Sequence, residues 1–167
     1  MRKFTVRHQI ACTPDRFWEA ILWDPAFNQA LYGDLLGYGY SVRKNDIENG
    51  VREATITPKV DLPGPIKKVI GESIGFDENG RMEGEGDARV YRFHVVPHTF
   101  SNKISVRGHM EVPPLGADKC HRIVHFEVGC TIFGIGKLVE TFASKEVERS
   151  YDQSAEFTNS YLARQGG

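Results

Sequence analysis

The chain has 167 residues, 40% of them hydrophobic, and 21 Lys plus Arg stand against 22 Asp plus Glu for a formal net charge of -1. That length suits one domain, 1–167, with a core large enough to stand without disulfide or metal staples. Balanced charge excludes a global pull toward nucleic acid, and the absence of both a signal-like apolar opening and any run of about 18 apolar residues predicts a soluble, cytoplasmic protein.

In "KFTVRHQI", Phe4, Val6, His8 and Ile10 alternate with Lys3, Thr5, Arg7 and Gln9, the period of a strand with one buried face. "TPDRFWEAILW" then offers Thr13 as N-cap, Pro14 at the first helical position and Phe17, Trp18, Ile21 and Leu22 on one face. Asp24 and Pro25 repeat the start signal for a second short helix that Gly33 can end.

From Leu36 to Thr131 the pattern is mostly strand. Turn chemistry punctuates it at "KNDIENG" (44–50), "DENG" (77–80) and "PPLGADK" (113–119), which predicts an antiparallel meander. Within it, Tyr91, Phe93 and Val95, then Ile104, Val106, Met110 and Val112, then Val124, Phe126, Val128 and Cys130, put three neighbouring strands on one apolar, partly aromatic face. Gly108 leaves room on that face for a sheet bend or a ligand. Residues 57–73, "TPKVDLPGPIKKVIGES", interrupt the meander, and Pro65 can start a short helix with Ile66, Val69 and Ile70 on one side and Lys67 and Lys68 on the other.

After Gly136 neither proline nor glycine occurs until Gly166. Leu138, Val139, Phe142, Ala143, Val147, Tyr151, Ala155, Thr158 and Leu162 recur at spacings of three and four. One helix of about 28 residues, roughly 40 Å long, is predicted, with Lys145, Glu146, Glu148, Arg149, Asp152 and Glu156 on its wet face.

Little here points to local catalytic or metal chemistry. Cys12, Cys120 and Cys130 are odd in number and form no CxxC, as expected of buried reduced thiols. His121 and His125 share the wet face of a strand, His94 and His98 sit where a strand ends at Pro97, and His109 also faces water, so no metal site is assigned. His8 alone falls on a buried face, where it is read as a core histidine able to orient a ligand's polar end. "FGIGK" lacks both the GxxxxGK[ST] and the GxGxxG spacing; Gly134 and Gly136 are read as the hinge into the long helix and not as a phosphate cradle.

Strand, two short helices, long meander and one long C-terminal helix is an order that resembles the helix-grip fold. The chain is similar to START-like proteins of the Bet v 1 superfamily over nearly its whole length. More narrowly it is similar to a bacterial group catalogued as a domain of unknown function, through Thr13, Pro14, Trp18, Asp24, Pro25, Gly134, Gly136, Glu140 and Phe142. This resemblance implies an α+β fold: a curved antiparallel sheet of about six to seven strands wrapped around the C-terminal helix, enclosing a cavity for an apolar small molecule.

The ligand-binding set expected for such a cavity is Tyr91, Phe93, Val106, Met110, Phe126 and Val128 from the sheet, facing Leu138, Phe142 and Tyr151 from the helix. His8, Trp18, Tyr38 and Tyr40 complete it. By the same resemblance the 57–73 insertion acts as a gate, where Leu62, Ile66, Val69 and Ile70 with Lys67 and Lys68 make weak, reversible contact with a membrane surface. The function implied is binding or transport of a lipid-like, sterol-like or aromatic molecule, with no cofactor, no metal and no nucleic acid. A cyclase- or hydrolase-type enzyme acting on an aromatic or polyketide-like substrate is the alternative, and a protein-interaction module with a filled core is a third.

Overall fold

The computed structural model describes residues 1–166, so that Gly167, the last residue of the expected unit, lies outside it. A seven-stranded, wholly antiparallel sheet carries the chain in the order β1-β7-β6-β5-β4-β3-β2. Strand β1 (Arg2–Ile10) is followed by α1 (Pro14–Phe17) and α2 (Pro25–Gln29), each running on into a wider π turn at Trp18–Leu22 and Ala30–Leu35. Strands β2 (Gly39–Asp46) and β3 (Val51–Thr57) precede the short helix α3 (Gly64–Ile70). Strands β4 (Phe76–Glu83), β5 (Val90–Pro97), β6 (Ile104–Glu111) and β7 (Cys120–Cys130) complete the sheet, and α4 (Gly136–Arg164) closes it. This is the helix-grip architecture.

The local signals act as their chemistry dictates. Thr13 Oγ1 accepts from the Arg16 amide at 3.3 Å, and Asp24 Oδ1 accepts from the Ala26 amide at 3.0 Å, capping the two short helices. Buried Asn28 donates to the carbonyls of Ile21, Leu22 and Asp24, at 3.0, 3.0 and 2.9 Å, and so fixes the angle between them. On the sheet, Val6 pairs with Val124 and Val124 with Met110, so the inner faces of β1, β7 and β6 coincide. Helix α4 is 29 residues long and packs chiefly against β1 and β7. All three cysteines are buried and unbridged.

Two expectations are corrected. "DENG" is no turn: Asp77, Glu78, Asn79 and Gly80 lie inside β4, with Gly80 opposite Phe93 on β5 and Arg52 on β3. The glycine serves close approach, since a Cβ there would overlap the hydroxyl of Tyr91. Leu138, placed by periodicity on the apolar face of α4, is 40% exposed, because in that turn its neighbour Val139, 7% exposed, takes the inward position against Ile104 and Cys130. Gly108 does allow a close approach, with a Cβ there blocked by the His125 carbonyl and the end of the Phe93 ring; Phe93 itself takes up that room. The hinge glycines are structural: Gly134 adopts φ 84°, and a Cβ on Gly136 would meet the Cys130 carbonyl.

Candidate functional site

Between sheet and α4 lies a cavity of about 300 Å³, at the small end of ligand pockets. Its wall is assembled from four sources: α1 and α2, the inner face of β3 to β7, the α3 segment, and one side of α4 from Val139 to Ser154. Apolar contributors predominate for a simple reason. Every second residue of each strand points inward, and β5, β6 and β7 supply Phe93, Val106, Met110 and Phe126 at those positions. The α3 segment forms one end, where Leu62 and Ile66 pack with Ile104, Cys130 and Val139.

A few polar groups interrupt this surface. Arg52, only 2% exposed, donates to Glu78 Oε1 at 3.2 Å and to the Tyr40 hydroxyl at 2.6 Å, and the Tyr91 hydroxyl donates to Glu78 at 3.4 Å. Burial is the largest influence on Arg52 and opposes its charge, but the Glu78 carboxylate together with Tyr32, Tyr91 and Tyr40 outweighs it and holds the guanidinium pKa above its ordinary value. Arg122, 3% exposed, donates from Nη1 to Ser154 Oγ at 3.0 Å and from Nη2 to the Tyr151 carbonyl at 2.9 Å and to His8 Nδ1 at 3.1 Å. Its guanidinium carbon lies 4.8 Å from the centroid of the Tyr151 ring. Burial lowers the pKa of Arg122, as desolvation must for a cation without a carboxylate in contact.

The phenols stay protonated. Burial and then the negative charge of Glu78 raise Tyr32 well above its usual range and push Tyr151 up to about 12, so both present hydroxyl groups at neutral pH. Burial also raises Tyr38, which stands beside Glu146 and Arg149, with Arg149 donating to Glu146 at 2.8 Å.

Of the expected ligand-binding set, Tyr38, Phe93, Val106, Met110, Phe126, Phe142 and Tyr151 line the cavity. Trp18, Tyr91 and Val128 are core residues behind the lining, at 1%, 1% and 0% exposure. Tyr40 stacks on Tyr32 and holds Arg52, and Leu138 is outside. His8 is not a core residue in apolar packing. It sits between Arg122 and Asp152, accepting from the guanidinium at Nδ1 and therefore carrying its proton on Nε2, 2.7 Å from Asp152 Oδ1. In the expected gate, Leu62, Ile66 and Ile70 turn inward to line the cavity, whereas Val69 and Lys68 face outward. Lys67 lies 3.5 Å from both Asp61 and Glu72, so its charge is already met within the segment.

Arg52, Glu78 and Arg122 are the site residues that sequence reasoning missed. Strand parity contains the signal for the arginines: Arg52 shares a face with Ala54 and Ile56, and Arg122 shares one with Val124 and Phe126. Glu78 was hidden by the turn-like letters around it.

On the opposite face of the sheet, His109 on β6 pairs across strands with His125 on β7, their rings stacked at 4.5 Å. Glu111 Oε1 lies 3.6 Å from His109 Nε2 and 3.8 Å from His125 Nε2, and Thr5 Oγ1 is 3.1 Å from His125 Nδ1. The expected partner of His125 in sequence, His121, takes no part. These three ligating groups are the ones the described residues bring together in reach of one cation, all on half-exposed side chains.

Solved structures share this architecture. A protein from Thermus thermophilus matches with a TM-score of 0.69 at 11% identity, covering 99% of this chain and 100% of that one. A norcoclaurine synthase from Thalictrum flavum, in complex with dopamine and hydroxybenzaldehyde, gives 0.63 at 14% identity over 99% and 88%. A START superfamily protein from Mycobacterium smegmatis gives 0.59 at 12% over 92% and 97%. No curated protein sequence matches. At these identities the likeness concerns the fold. The family model described as "Protein of unknown function (DUF2505)" matches residues 5–162, and the chain belongs to that family, with the helix-grip fold it shares with these structures.

Proposed function

We propose that this protein binds an apolar small molecule, lipid-like or aromatic, in the cavity between the sheet and α4, acting as a carrier or sensor. The observation that carries the reading is the cavity itself: about 300 Å³ of space walled by aromatic and branched aliphatic side chains, with few polar groups. An interaction module would fill that space with side chains, because close packing is the default of a protein interior. The norcoclaurine synthase of the same fold holds aromatic molecules, which agrees with such an occupant.

An enzymatic reading needs a free acid or base on the wall. His8 is not among the lining groups and is engaged by Arg122 and Asp152, Glu78 is engaged by Arg52, and the buried phenols are held protonated, so the polar groups are arranged as donors and fixed charges. That arrangement favours binding.

The test is native mass spectrometry of protein purified without detergent, followed by titration with an apolar fluorescent probe. A co-purifying small molecule or saturable uptake is expected. Phe142→Asp, which puts a charge into the lining at α4, should abolish it. Wild-type protein that neither carries nor takes up any apolar molecule refutes the proposal.

A further inference from the structure

Two arginines are buried in this part of the molecule, and they are not equivalent: Arg122 lines the cavity, whereas Arg52 lies behind Glu78. Arg52 is matched by Glu78 at 3.2 Å. At the half-buried edge Glu146 is matched by Arg149 at 2.8 Å. Arg122 lines the cavity with a guanidinium whose three acceptors, the Ser154 hydroxyl, the Tyr151 carbonyl and His8 Nδ1, are all uncharged, and its Nε–H has no acceptor among the described residues. The nearest carboxylate along its network, Asp152, is reached only through His8 and is 74% exposed.

Buried charges are ordinarily paired, because removing an ion from water costs several kcal/mol unless a counter-charge offsets it. The protein meets part of that cost with three hydrogen bonds and the Tyr151 ring, and leaves this cavity-lining guanidinium without a counter-charge in contact. A ligand bringing one negative charge to this spot would complete the pair in a medium of low dielectric, where such an attraction is strongest. A carboxylate suits the site: it carries one charge for one cation, and its planar pair of oxygens matches the flat guanidinium. A phosphate monoester, with a charge near -1.5 to -2 and three oxygens to satisfy, would bring surplus charge to a single unmatched cation.

We infer that the occupant is an apolar carboxylic acid, its acid group on Arg122 and its hydrocarbon part toward Phe93, Phe126 and Met110. The inference rests on the proposed binding function and names the ligand class for the same cavity. His8 and Asp152 act behind the guanidinium as positioning residues, since the Nε2–H bond to Asp152 keeps Nδ1 free to accept from Arg122.

The experiment compares lauric acid, lauryl alcohol and laurylamine, which share a tail and differ in the head, by calorimetry at neutral pH below their aggregation concentrations. The acid should bind on the order of ten- to a hundredfold more tightly than the alcohol, as expected of a hydrogen-bonded charge pair, and the amine should bind most weakly. Arg122→Met should reduce the preference for the acid over the alcohol to about onefold, and Arg122→Lys, which keeps the cation, should retain part of it. Circular dichroism and thermal unfolding establish that each variant is folded, and the wild-type comparison decides the matter even if Arg122→Met does not fold. Equal binding of acid and alcohol by wild-type protein overturns the head-group inference and leaves the binding function standing. Failure of all three ligands to bind, with no co-purifying apolar molecule, overturns both.

Discussion

Replacing Glu78 by Gln keeps the shape and one acceptor oxygen beside Arg52 but removes the carboxylate that pairs with it. Arg52 is 2% exposed, and its remaining partner is the hydroxyl of Tyr40, a phenol that burial holds protonated. Breaking a buried pair from one side typically costs about 3–5 kcal/mol, because the uncompensated charge stays behind. For a chain of this length each kcal/mol moves the melting temperature by about 2–4 °C, so Glu78→Gln should lower it by roughly 6–20 °C in a thermal scan. Removing both charges, as Arg52→Met with Glu78→Leu, should recover most of the loss, since a packed apolar pair is often as stable as the ion pair it replaces. Urea unfolding of wild type, both single variants and the double variant yields the coupling energy directly. A cost below about 1 kcal/mol for Glu78→Gln, or a double variant no more stable than the single, would refute the reasoning that Glu78 neutralises Arg52.

Two further outcomes follow from the cavity wall. Tyr151 titrates at about 12 in the folded protein against 10.0 when free, burial being the main cause. As pH rises the unfolded chain therefore gives up this proton first, and stability present below pH 10 is lost as pH climbs toward 12, on the order of 2–3 kcal/mol from this residue. Urea unfolding across that window should show the fall and Tyr151→Phe should make it shallower, the other buried phenols supplying the rest, and a profile identical in the two proteins would contradict the assignment. Gly80→Ala places a methyl where the Tyr91 hydroxyl now lies, so the ring must leave Glu78 or the sheet must spread. A loss of about 1–3 kcal/mol in urea unfolding is expected, and wild-type stability would show that this close approach is not a constraint.

Much of this molecule was readable before its structure was seen. Thr13 and Asp24 mark helix starts with their own side chains, and the alternation on β5, β6 and β7 names the inner face residue by residue. These signals are local, which is why Phe93, Val106, Met110, Phe126, Phe142 and Tyr151 line the cavity where periodicity puts them. The failures have equally physical causes. "DENG" carries turn residues because one face of β4 is polar and because Gly80 must clear Tyr91, a neighbour from the next strand. His8 reads as a core residue from its parity, but the inner face of β1 reaches the flank of α4, where Asp152 and Arg122 meet it. Arg122 itself was overlooked among hydrophobic neighbours, although its even position on β7 aims it inward.

The letters alone settle the two short helices, the long C-terminal helix, the hinge at Gly134 and Gly136, and which face of β1, β5, β6 and β7 is dry, because caps, turns and alternation act over a few residues. Tertiary structure decides whether the dry face encloses space or fills it, because a void depends on distances between side chains from α3, α4 and five strands at once. It also decides which charges are matched. Arg52 finds Glu78 from 26 positions away and Arg122 finds only neutral partners, and no local pattern records that difference.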